Sequence, residues 1–248
     1  MHDIRPLSIP VILGTPRQGR LSEHVARVIV AEAAARGDVR TELIDVRELP
    51  LSSMDAGEQI KDKRFSDTIM RADGLVIVAP EYNHGYPGIL KHALDSNLKE
   101  YIHKPVGLCG VSAGGFGGTR VVESLLPVLR ELGLVSIFWD VNVSSVGKVF
   151  DDSGRLVDTA LPRRLKKFLD ELVWMGRVLR AGREEVALND APSLRCGVCN
   201  AAMNNHAEKV DFTTGVGGTL RQVNQCPRCG NVELRLMMED LAAPRMPA

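Results

Sequence analysis

No stretch of this 248-residue chain approaches the roughly 18 to 20 consecutive apolar residues that a membrane helix requires. Charge of one sign is also missing. With 31 basic and 31 acidic residues, no bulk field draws the protein to nucleic acid or an anionic membrane, and either partner would need a local patch. Cysteine is scarce outside one region: four of the five form two Cys-x-x-Cys pairs near the C-terminus. Without an export signal, that pattern argues against a disulfide framework and for a metal site in a reducing compartment. The opening "MHDIRPLSIPVILG" has one short apolar run and no small-residue cleavage site, so it predicts a first strand and a cytoplasmic protein. No internal repeat or low-complexity tract is present.

Apolar runs of strand length recur at residues 7–14, 40–46, 74–79, 105–112 and 134–143. Each of the first four is followed by a segment suited to a helix: 22–36, 59–72, 87–101 and 118–132. Val25, Ile29 and Ala33 recur at helical spacing in the first of these, Gly37 stands at the position of a C-cap glycine, and Gly133 closes the last. Alternation of this kind predicts a parallel sheet covered on both faces, an α/β flavodoxin-like doubly wound fold with strand order 2-1-3-4-5. A basic amphipathic segment, 158–180, supplies the closing helix, with Leu165, Phe168, Leu169, Leu172 and Val173 on its buried side. Its basic residues Arg163, Arg164, Lys166 and Lys167 read as a solvated face, because no aromatics are interleaved for base stacking. The expected domains are 1–182, a linker at 183–194, a small module at 195–237 and a tail at 238–248.

Ligands of such sheets bind beyond the carboxyl ends of the strands, where the strand order reverses. Three loops there are chemically unusual. "GTPRQGRLS" joins the N-terminus of a helix to the hydroxyls of Thr15 and Ser22 and the guanidinium of Arg17, a set suited to a phosphate. It has neither Walker spacing nor a Gly-x-Gly-x-x-Gly, which favours a mononucleotide; Ser22 capping the helix, with Arg17 in water, is the alternative. "APEYNHGYPG" ends a strand at Pro80 and starts a helix at Pro87, holding Glu81, Tyr82, Asn83 and His84 between them. Its backbone can meet a flat heterocycle, or Glu81 and Asn83 can be ordinary turn formers. In "SAGGFGGTR", four glycines around Phe116 let backbone approach a ligand.

Taken in order, "GTPRQGRLSEHVA", "APEYNHGYPGILKHALDS" and "VSAGGFGGTRVVESLLPVLRELG" resemble the NADPH-dependent FMN reductase family, over about residues 5–180. The resemblance implies that Thr15, Arg17 and Ser22 bind the FMN phosphate with Gln18 close by, that Pro80, Glu81, Tyr82 and Asn83 line the isoalloxazine ring, and that Ser112, Ala113, Gly114 and Gly115 border its other side. It further implies electron transfer from NADPH or NADH to a quinone, free flavin, azo compound or metal oxyanion, and a homodimer or homotetramer. No residue is expected to serve as acid, base or nucleophile, since the flavin carries the chemistry. Tyr82 and His84 are the candidates for shaping the open ring face, where nicotinamide and acceptor take turns. Gly85 and His92 depart from the serine and asparagine the family often has there, which bears on substrate choice, and Pro16 and Arg20 fall at variable positions. A rival reading is a ligand-sensing scaffold whose C-terminal module docks the functional partner.

That module carries "CGVC" and "CPRCG", so Cys196, Cys199, Cys226 and Cys229 supply four thiolates for zinc in a zinc-ribbon-like unit, or for a single iron as in rubredoxin. Phe212 is the single aromatic residue between the knuckles, which favours zinc over iron. A protein or nucleic-acid partner, or the oligomer interface, are roles open to this module. Cys109, in the fourth strand, reads as a core residue rather than a nucleophile.

Overall fold

The computed structural model describes residues 5–51, 61–185, 195–199, 201, 204–211 and 219–236. The chain divides into two units, Met1–Gly182 and Arg183–Ala248. In order, the first holds β1 (Leu7–Ser8), β2 (Val11–Leu13), α1 (Ser22–Ala34), β3 (Val39–Arg40), β4 (Leu43–Asp45), α2 (Lys63–Arg71), β5 (Leu75–Pro80), α3 (Gly88–Asp95), β6 (Lys104–Val111), α4 (Thr119–Glu131), β7 (Leu134–Ser136), β8 (Val141–Val143) and all but the last three residues of α5 (Leu161–Glu185). The main sheet runs β4-β2-β5-β6-β7, with β8 also on β6, and every one of these pairings is parallel. Once the split strands are rejoined, this is the predicted order 2-1-3-4-5.

All of β6 is buried, and all of β5 up to Pro80, as strands covered on both faces must be. Alternate side chains feed two cores. Val11, Leu13, Val76 and Val78 meet Val25 and Ile29 of α1 and Leu165, Phe168 and Leu169 of α5. Ile12, Leu75 and Ile77 meet Phe65 and Ile69 of α2, Leu90 of α3 and Leu125 of α4. After β2 the chain moves outward to β4 and returns on the other side of β2 as β5. The carboxyl ends of β2 and β5 therefore flank the switch point.

Several predicted boundaries move. Strand 134–143 is two short strands, because after the Ile137 N–H bond to the Val106 carbonyl the chain leaves the ladder at Phe138, which stands 79% exposed. α1 closes on Ala35 in a right-handed conformation, and Gly37 is not among the glycines with positive φ; Gly133, at φ 73°, does close α4. α3 stops at Asp95 rather than Tyr101, where Ser96 turns its hydroxyl to the Ala93 carbonyl at 2.8 Å and competes with the helical bond pattern. α5 starts at Leu161 and runs on to Glu185, into the first three residues of the expected linker; its predicted inward residues are all buried. The rest of that linker, Phe212 and the expected tail lie outside the described residues.

The second unit holds β9 (Asn204–Asp211), β10 (Thr219–Gln225) and β11 (Val232–Leu236), antiparallel in the order β11-β10-β9. Two tight turns precede β9 and β11. Cys196 N–H donates to Ala201 O at 2.9 Å, and Cys226 N–H to Asn231 O at 2.8 Å.

Candidate functional site

The first loop leaves β2 at Gly14, where a Cβ would lie 2.8 Å from Leu90 Cδ2 and 3.2 Å from the Val78 carbonyl, so a side chain does not fit. Thr15 is fully buried; its Oγ1 lies 2.8 Å from the Tyr82 hydroxyl and accepts the Arg17 N–H at 3.3 Å. Arg20, read from the sequence as a variable position, is buried and grips both Asp45 oxygens and the Thr15 carbonyl. Burial works against its charge, but the Asp45 and Glu23 carboxylates outweigh that, and its pKa sits above the ordinary arginine value. Arg47, just after β4, donates to the carbonyls of Pro16 at 3.1 Å and Arg17 at 2.9 Å.

Ser22 opens α1 without capping it: the N-cap position belongs to Leu21, which offers no side-chain bond. The Ser22 hydroxyl is buried and has no hydrogen-bond partner among the described residues. A buried, unpartnered hydroxyl on the first turn of a helix, where backbone N–H groups also lack internal acceptors, suits an anion. The Arg17 guanidinium lies over the Tyr82 ring, 5.9 Å from its centre.

In the second loop, Tyr82 and Gly85 exchange backbone bonds of 2.9 Å in each direction, and Asn83 and His84 between them have φ of 48° and 68°. Both central residues at positive φ make a two-residue hairpin turn of the primed type, which asparagine tolerates better than most residues. Arg120 of α4 holds this turn from outside, 2.7 Å from Glu81 Oε1 and 3.0 Å from His84 Nε2. The other Glu81 oxygen is buried without a partner among the described residues. In the third loop the glycines divide by role. A Cβ on Gly117 would lie 2.9 Å from Asn142 Cβ, and one on Gly118 2.5 Å from Val111 N, both at positive φ, so these two permit close packing on β6 and β8. Gly114 and Gly115 face open space.

The three loops border an open cavity of about 350 Å³. Of the predicted residues, Arg17, Gln18, Ser22, Pro80, Glu81, Tyr82, Ser112 and Ala113 line it. Thr15 sits behind it, bonded to Tyr82, while Asn83, Gly114 and Gly115 do not line it. His84 stands outside the lining, on Arg120. The structure adds Gly19, Arg20, Leu21, Val111 and Val146, the last from a turn after β8 that no local sequence signal marks. A smaller cavity of about 190 Å³, between β4 and α2, contains no predicted site residue.

In the second unit the four sulfurs of Cys196, Cys199, Cys226 and Cys229 lie within 4.8 Å of one another. Tetrahedral coordination at a metal–sulfur distance of about 2.3 Å puts sulfurs about 3.8 Å apart, so the set fits a metal site of four thiolates. The Val198 N–H donates to Cys196 Sγ at 3.4 Å, a contact that orients the sulfur and steadies its charge. Cys109, by contrast, is buried in the core and its thiol is pushed up to about 12, mainly by loss of solvent.

A flavodoxin-like sheet with an anion-suited helix turn and a cavity at its switch point defines a mononucleotide-binding α/β protein. Residues 7–147 match the NADPH-dependent FMN reductase family, and the chain belongs to it. Among curated proteins, a quinone reductase of Pseudomonas putida is 29% identical over 70% of this chain and 97% of its own length. An FMN-dependent NADPH-azoreductase of Staphylococcus haemolyticus is 30% identical over 66% of this chain and 92% of its own. Among solved structures, the flavoenzyme NAD(P)H:(acceptor) oxidoreductase of Paracoccus denitrificans shares the fold with a TM-score of 0.59 at 24% identity, covering 69% of this chain and 98% of its own. The chain is an enzyme, an FMN-dependent oxidoreductase drawing on a nicotinamide cofactor, rather than a ligand-sensing scaffold. No helix among the described residues is long and apolar enough to cross a membrane.

Proposed function

We propose that the 350 Å³ cavity is the FMN site and that a quinone is the acceptor class it serves, with azo compounds, free flavin and metal oxyanions as alternatives. The observation that carries the reading is the buried, unpartnered Ser22 hydroxyl on the first turn of α1, facing the same cavity as Arg17 and Tyr82. In this reading Arg17, Gln18 and Ser22 hold the phosphate, and Thr15 acts by fixing Tyr82. Pro80, Glu81 and Tyr82 border one side of the ring, and Ser112 and Ala113 the other, with Gly114 and Gly115 leaving room beyond them. Asn83 serves the turn that presents Tyr82. His84 steadies Arg120 against Glu81 and so shapes the rim.

Bound FMN supplies the two-electron chemistry, and the protein's part is binding, orientation and exclusion of water. The named relatives supply the acceptor classes: quinones for one, azo compounds for another. NADPH is the donor that the family's description names, and the assembly we propose is a cytoplasmic homodimer or homotetramer. The four-cysteine site is assigned to structural zinc, with iron as the alternative; its free energy of binding would hold together a module too small to bury a core of its own. Docking of a protein or nucleic-acid partner is the role assigned to that module.

The test uses the purified full chain. It should be yellow, or turn so with added FMN; its flavin absorbance should bleach with NADPH in the absence of oxygen and return on adding a benzoquinone. A colourless protein that takes up no FMN would overturn the assignment of the cavity. Elemental analysis per chain decides zinc against iron.

A further inference from the structure

We propose that Arg47 is a positioning residue for the phosphate end of the flavin site, acting with the buried Arg20–Asp45 pair to turn the carbonyls of the first loop away from the anion. The inference rests on the reading of that loop as the phosphate subsite.

A loop that binds phosphate through its backbone must present N–H groups and hide its carbonyl oxygens, whose partial negative charge repels the ligand. Here three successive carbonyls are occupied by arginine. Arg20 takes Thr15 O, and Arg47 spans Pro16 O at 3.1 Å and Arg17 O at 2.9 Å. In a trans peptide the N–H points opposite to the C=O of the same unit, and no cis peptide occurs among the described residues. Fixing the Arg17 carbonyl therefore fixes the Gln18 N–H on the face away from Arg47, while the Arg17 N–H, held through the Pro16 carbonyl, is occupied by Thr15 Oγ1 at 3.3 Å. Arg17 and Gln18 line the cavity and Arg47 does not.

Asp45 is the hub of this device. Its carboxylate accepts from Arg20 and also from the Arg47 N–H at 3.0 Å, which fixes the short turn Val46–Glu48 that carries Arg47. Arg20, bound to both Asp45 oxygens, has its charge neutralised inside the protein and is not free to meet a phosphate. The Arg47 guanidinium spans the two consecutive carbonyls with one planar fork, Nε on one and Nη2 on the other.

The experiment titrates FMN and riboflavin into flavin-free full-length wild type, Arg47→Ala and Arg47→Lys, read by flavin fluorescence. Riboflavin lacks the phosphate but keeps the ring. Arg47→Ala should bind FMN roughly three- to tenfold more weakly and Arg47→Lys, whose ammonium can still donate to both carbonyls, should lose less, while the riboflavin affinity of both stays within about twofold of wild type. Equal losses for both flavins in Arg47→Ala would show a general disruption and overturn the proposal, as would an unaffected Arg47→Ala. A wild type that binds neither flavin overturns the underlying site reading instead.

Discussion

The hydroxyl of Tyr82 and Oγ1 of Thr15 lie 2.8 Å apart, a bond between loops separated by 67 residues of sequence. It ties the start of the loop between β2 and α1 to the hairpin turn after β5, joining two of the loops that border the cavity. Tyr82→Phe keeps the ring and deletes the tie. It should cost about 1 kcal/mol of stability in urea unfolding and weaken FMN binding several-fold. Thr15→Val should cost more, because it also removes the acceptor of the Arg17 N–H, and the double variant should lose little more than Thr15→Val alone. Additive losses would mean the two groups are not coupled.

Ser22→Ala should separate stability from binding. The buried hydroxyl has no partner among the described residues, so removing it from the flavin-free protein should be neutral or raise stability by up to about 1 kcal/mol. FMN affinity should fall tenfold or more as a contact to a charged oxygen is lost. Thermal unfolding without flavin and an FMN titration measure the two effects; a destabilised variant with unchanged affinity would make Ser22 purely structural.

Acid should loosen the first loop through Asp45. Burial pushes this carboxyl up, but the bonds from Arg20 and the Arg47 N–H outweigh it, and the net pKa is below the ordinary 3.8. A depressed carboxyl contributes stability that is fully present above that value and is lost as pH falls through the folded-state pKa. Asp45→Asn should therefore cost about 2 kcal/mol near neutral pH, and the gap to wild type should close in strong acid. Unfolding midpoints measured across that range report it, and a gap that does not change with pH would remove Asp45 from the account.

The glycines of the third loop should respond unequally. Gly118 sits at φ 76° with the Val111 amide nitrogen 2.5 Å from where its Cβ would be, so Gly118→Ala should destabilise by about 3 kcal/mol or more. Gly114→Ala meets open space and should stay within about 0.5 kcal/mol of wild type. Thermal melts of the two variants, compared side by side, would expose an error in either assignment.

Metal removal should act on one unit. Chelation, or Cys226→Ser, should abolish metal content and the ordered antiparallel sheet β9–β11, while FMN content and the melting of the first unit stay as they were. Exchange-protected amides in β10 after chelation would argue against metal-driven folding.

The parallel sheet and its order were legible because strand-length apolar runs alternate with helical periodicity, and burial on both faces leaves that pattern in the chain itself. The cysteine cluster was legible for a similar reason: paired Cys-x-x-Cys turns carry their own local geometry. Arg20 was not. Its partner Asp45 lies 25 residues away, and nothing near Arg20 in sequence distinguishes a buried, paired arginine from a solvated one. The same holds for Val146, which reaches the cavity only through the packing of a later turn. Gly114 and Gly118 look alike in "AGGFGG", yet one faces open space and the other a backbone, a difference set by how closely β6 approaches. Periodicity and short-range chemistry thus belong to the sequence. Which charges are neutralised, which hydroxyls are left without partners, and which glycines are obligatory depend on distances between segments far apart in the chain, and those distances exist only once the sheet has formed.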